Sequence, residues 1–69
     1  MATATAYSLA ELVACAEREL KIRLRVYPGR VMAGRMSQRE ADRQIEMMAA
    51  IAGRLREVAE REREQLLLV

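Results

Sequence analysis

Apolar residues recur along this chain at intervals of three and four. Leu9, Leu12, Val13, Ala16, Leu20, Leu24 and Tyr27 form one series; Ala41, Ile45, Met48, Ala52, Leu55, Ala59 and Leu66 form a second. This is the period of a helix that buries one stripe. The second series alternates steps of four and three, the spacing of a seam in a coiled coil or helical bundle. Each series is preceded by S-x-x-E, at Ser8 to Glu11 and at Ser37 to Glu40. In such a capping box the serine hydroxyl accepts from the third helical N–H, and the glutamate accepts from the serine N–H. The pattern therefore predicts one helix near residues 9–26 and another near 38–66, together a single all-α hairpin domain over residues 1–69.

The connection, residues 27–36, contains the chain's only proline and two of its three glycines. Pro28 disfavours a helical conformation at Tyr27 and can open a new short turn. Gly34 is placed to end that turn in a left-handed conformation. These signals predict a short helical elbow. One stretch competes with the helical assignment: Ile22, Leu24 and Val26 alternate with Arg23, Arg25 and Tyr27, the period of a half-buried strand that would have to pair between molecules. The unbroken stripe through Leu20 and Leu24, and a Glu19–Arg23 pair at i, i+4, favour helix.

At 1.5 Å per residue the two helices would span ~27 Å and ~43 Å. The second would overhang by about ten residues, which either fray or are covered by another subunit. Size points the same way. A 69-residue chain buries only ~60% of the surface its unfolded form exposes, and small folds usually gain stability from disulfides, a metal or self-association. There is one cysteine, Cys15, and no histidine, so an intrachain disulfide is excluded and a zinc site would lack its usual ligands. Met47, Ile51 and Val58 widen the second stripe beyond one seam. A homo-oligomeric helical bundle is expected, with Ile45, Met48, Ile51, Leu55 and Val58 at its interface.

Catalytic chemistry is not suggested. Without histidine a Cys–His nucleophile is excluded, and Cys15 reads as a small apolar residue. Carboxylates sit at i, i+4 from basic residues, as Glu17 does from Lys21, which suits solvated ion pairs. Gly29-x4-Gly34-Arg35-Met36-Ser37 imitates a phosphate-binding loop, but Arg35 replaces the lysine, Met36 is inserted, and no parallel sheet can be built around it. No enzyme activity, cofactor or metal is expected.

Charge is the feature that changes this picture. The net charge is only +2, yet residues 18–43 hold eight basic side chains against three acidic ones, +5, and all but one of the chain's twelve basic residues are Arg. Arginine beside a helix N-terminus suits anions, through paired hydrogen bonds to carboxylate or phosphate. The candidate binding residues are Arg23, Arg25, Tyr27, Arg30, Arg35, Ser37 and Arg39. They would suit an acidic protein surface or, in the rival reading, a nucleotide or nucleic acid. No run approaches ~18 consecutive apolar residues, and no basic leader precedes the first apolar run. A cytoplasmic setting without membrane attachment is expected.

The run Ala16-Glu17-Arg18-Glu19-Leu20, then Arg23, Val26-Tyr27-Pro28, Val31, Gly34-Arg35-Met36-Ser37, Ala41, Ile45, Met48 and Ile51 resembles small phage and prophage proteins of proteobacteria. Their pattern reads VYP-x-x-V-x-x-GRM-S/T, followed by A-x-x-EI-x-x-M-x-x-I. The likeness covers about residues 14–55, with Gln44 where the pattern often has Glu. It implies a setting rather than a reaction: a small accessory protein that binds and modulates a host macromolecule, such as a host protein or defence system.

Overall fold

The computed structural model describes residues 6–68. Two helices, α1 (Leu9–Met32) and α2 (Gln38–Leu68), pack against each other as a hairpin, and there is no strand among the described residues. Both capping boxes form. Ser8 Oγ accepts from the Glu11 N–H at 3.1 Å, while the Ser8 N–H donates to Glu11 Oε2 at 3.0 Å. Ser37 Oγ accepts from the Glu40 N–H at 3.0 Å, and the Ser37 N–H donates to Glu40 Oε1 at 3.3 Å. The competing strand segment, residues 22–27, lies inside α1.

The first helix does not stop before Pro28. It runs six residues past the expected end at 26, so Tyr27 to Met32 belong to α1 and the connection shrinks to residues 33–37. Proline removes one donor, the one that would bond the Leu24 carbonyl, and the helix closes beyond it: the Ala33 N–H donates to the Gly29 carbonyl at 3.0 Å. Tyr27 and Val31 continue the stripe and are half-buried, so packing offsets the local preference against helix. Gly34 does take a positive φ, 75°. The Arg35 N–H reaches back to the Arg30 carbonyl (2.9 Å) and the Gly34 N–H to the Val31 carbonyl (3.0 Å). Those two bonds make a Schellman motif and satisfy carbonyls the helix end would leave open.

The longer α1 also shortens the overhang. α2 exceeds it by seven residues, 31 against 24, or ~10 Å. Ala59, Glu62 and Leu66 line a groove with Ser8, Leu9 and Val13 at the open end, whereas Leu66, Leu67 and Leu68 remain 78–86% exposed.

The core between the helices is small and made of small residues. Ala16, Ala41, Met48 and Ala52 are its buried members, with Ala52 fully inaccessible, and Leu20 and Leu55 pack around Ala16, Met48 and Ala52. Alanines on both sides let the two helices approach closely. Leu12 and Leu24, part of the expected stripe, are exposed instead, because a single partner helix covers only a narrow sector of α1.

Candidate functional site

The seven candidate binding residues lie in the last three turns of α1, the connection and the first turn of α2, and they divide into two kinds. Arg23 and Ser37 are occupied in holding the fold. Arg23 Nε donates to Glu19 Oε2 at 2.9 Å, and Arg23 Nη1 donates to the main-chain carbonyl of Gln44 at 2.9 Å and to its Oε1 at 3.5 Å. Only about a fifth of that side chain is accessible. It ties α1 to α2 two to three turns from the connection. Ser37 has its hydroxyl committed to the Glu40 N–H. Nothing in the local sequence marks Arg23 for this duty, since Gln44 becomes its neighbour only through the antiparallel pairing of the helices.

The remaining residues face outward. Arg25, Arg30, Arg35 and Arg39 are exposed, and Tyr27 is half-buried. Arg30 lies over the Tyr27 ring, its guanidinium carbon 5.7 Å from the ring centroid, which steadies a long side chain by a cation–π contact. Its place in the last turn of α1 complements the helix dipole. Arg35 follows the left-handed Gly34. Arg39 stands in the first turn of α2, where its charge opposes the dipole instead of balancing it.

The nearby acids are otherwise engaged. Glu40 closes the Ser37 box, and Asp42 accepts from the Gln38 side-chain amide at 2.9 Å. Among the described residues the ion pairs are Glu19–Arg23 and Glu17–Arg56. Glu17 thus reaches across to α2 rather than along its own helix to Lys21. Neither pair neutralises an elbow arginine. The outcome is a cationic, half-aromatic surface on a backbone fixed by the Schellman bonds and a capping box.

The expected interface residues divide as well. Met48 is buried within the hairpin, Leu55 packs against its core, and Ile45 is half-buried, while Ile51 and Val58 are exposed. Cys15 is a free, exposed thiol rather than a buried filler. Among the described residues no group of three or more His, Cys, Asp or Glu side chains is gathered as a metal site, and no helix is long and apolar enough to cross a membrane. Comparison with known proteins returned no matching family model, no matching curated protein and no matching solved structure.

Proposed function

We propose that this chain is a non-enzymatic binding module of phage type, acting in the host cytoplasm, which docks its arginine elbow on an acidic surface of a host protein and so modulates it. The observation that carries the proposal is the exposure of Arg30, Arg35 and Arg39 at one end of the hairpin, with no carboxylate paired to them among the described residues. Arginine is costly to immobilise and strongly suited to bidentate capture of carboxylate or phosphate. The sequence resemblance to small phage proteins supports the setting. Self-association of hairpins into a helical bundle belongs to the same proposal, because the intramolecular core is so slight.

The test is capture of partners from host lysate by wild type and by the double variant Arg30→Glu with Arg35→Glu. The variant should keep its helical circular dichroism and lose the partner that wild type retains. If it captures that partner as well as wild type does, the elbow is only a turn. The absorbance ratio at 260 and 280 nm is the second readout. With two tyrosines and no tryptophan, co-purifying nucleotide or nucleic acid would dominate the spectrum and shift the reading to the anionic-ligand class.

A further inference from the structure

The turn that ends α1 brings two arginines to positions that ordinarily hold an apolar pair. In a Schellman motif the third residue before the C-cap and the second after it are joined through the backbone, and their side chains commonly meet in a hydrophobic contact. With Ala33 as the C-cap, those residues are Arg30 and Arg35. The Arg35 N–H donates to the Arg30 carbonyl at 2.9 Å, and the left-handed Gly34 fixes the reversal between them. The backbone therefore sets two cationic, exposed residues where neighbouring side chains are the rule. Arg30 is further steadied over the Tyr27 ring, 5.7 Å from its centroid.

Nothing local neutralises the pair. Residues 20–39 contain no Asp or Glu, while they hold Lys21, Arg23, Arg25, Arg30, Arg35 and Arg39. Neither ion pair among the described residues involves Arg30 or Arg35. The anion that suits two adjacent guanidinium groups follows from charge and acceptor number. A carboxylate has one negative charge and two oxygens, which a single guanidinium fork fills. A phosphate monoester carries close to two charges at neutral pH and has three strong acceptor oxygens, enough for two forks. A base attached to that phosphate would gain little. Tyr27 is half-buried with Arg30 over its ring, and the chain's other aromatic residue, Tyr7, precedes α1 at the open end. The elbow thus lacks a free aromatic platform for stacking.

We infer that Arg30 and Arg35 form a clamp for a single phosphate monoester group, borne on a side chain of the protein partner. This rests on the proposed function and names the group that the elbow recognises on the acidic surface.

The probes are a short synthetic peptide carrying one phosphoserine, the same peptide with glutamate at that position, and adenosine monophosphate. Each is titrated against the whole chain while backbone amide resonances are followed. The phosphopeptide should move the Gly34 and Arg35 amides most. It should bind at least about tenfold more tightly than the glutamate peptide at neutral pH, because only the phosphate engages the second guanidinium. That advantage should fade as pH drops below about 6, where the phosphate takes up its second proton, while binding of the glutamate peptide stays nearly level. Arg35→Gln should remove the advantage. Arg61→Gln, an equal loss of charge far along α2, should keep it. Equal binding of the two peptides at the elbow would overturn the clamp and leave docking on an acidic surface standing. Tighter binding of adenosine monophosphate than of the phosphopeptide would overturn the protein-borne source. A phosphopeptide that moves no elbow amide would also overturn the clamp; docking on an acidic surface falls with it only if the Arg30→Glu, Arg35→Glu variant keeps the partner captured by wild type. The wild-type titrations decide by themselves, even if a variant fails to fold.

Discussion

The two ends of the hairpin are held by different physics. At the elbow, backbone hydrogen bonds around Gly34 and the Ser37–Glu40 box fix the chain over a few residues, and the Arg23–Gln44 tie joins the two helices behind them. At the open end, the helices meet through half-buried Leu9, Val13 and Ala59, and the last turn of α2 stands exposed. Directional bonds define a geometry; thin apolar contact only favours proximity. A surface that must present charge in a fixed arrangement therefore belongs at the elbow, which is where the unpaired arginines are.

The sharpest way to break this contrast is to attack what both ends share. Ala52→Glu would place a carboxylate at a fully inaccessible seam position, a cost of several kcal/mol, enough to unfold a protein of this size. Its helical circular dichroism should vanish, while Leu67→Glu at the open end should melt like wild type. Met48→Ala is a milder version and should cost about 2 kcal/mol or more through the cavity it leaves.

Within the elbow, Gly34→Val forces a β-branched residue into positive φ and should destabilise by on the order of 1 kcal/mol or more, although a Cβ there meets nothing within 4 Å. The strain is in the backbone, so Gly34→Asn should recover part of the loss. Ser37→Ala should follow at roughly 0.5–2 kcal/mol as a lost cap. Thermal melts of the set check the order, and a Gly34→Val protein melting with wild type would show that the left-handed turn holds nothing together. At the surface, Arg56→Ala should cost ~0–1 kcal/mol, since Glu17–Arg56 is solvent-exposed.

The smallest expected effect is a pH dependence at the start of α1. The Ser8 N–H bonded to Glu11, and then the Ser8 hydroxyl, hold the Glu11 carboxyl below its ordinary pKa. A lowered folded pKa means that the stabilisation is present above the unfolded value and is lost as pH falls through the folded one. The Ser8 amide resonance should therefore titrate in the acid range, below the usual glutamate midpoint, and Glu11→Gln should abolish that titration.

These comparisons also show what was legible beforehand. Both capping boxes and the left-handed Gly34 could be read directly, because each is a contact among residues five or fewer positions apart with one dominant geometry. The end of α1 could not be read. Pro28 and the restriction on Tyr27 argue locally for a break, and the partial burial of Tyr27 and Val31 on the helical stripe offsets them. At the candidate site, the position of the arginine cluster was visible in the charge pattern. The division between Arg23 and the outward-facing residues was not, since it depends on Gln44, twenty-one residues away. The broad α2 stripe likewise concealed which members the hairpin uses itself, Met48 and Leu55, and which it leaves open, Ile51 and Val58.

The five-residue connection has a kinetic consequence. Closing a loop of this size takes ~10–100 ns, and a topology whose first tertiary contacts lie so near in sequence folds on the microsecond-to-millisecond scale. Helix pairing should nucleate beside the connection and zip outward through Arg23–Gln44, Leu20, Ala16 and Leu9. Opening would then run in reverse. Amide hydrogens of the terminal turns of α2 should exchange first and those flanking the connection last, so the cationic end keeps its shape while the other end breathes.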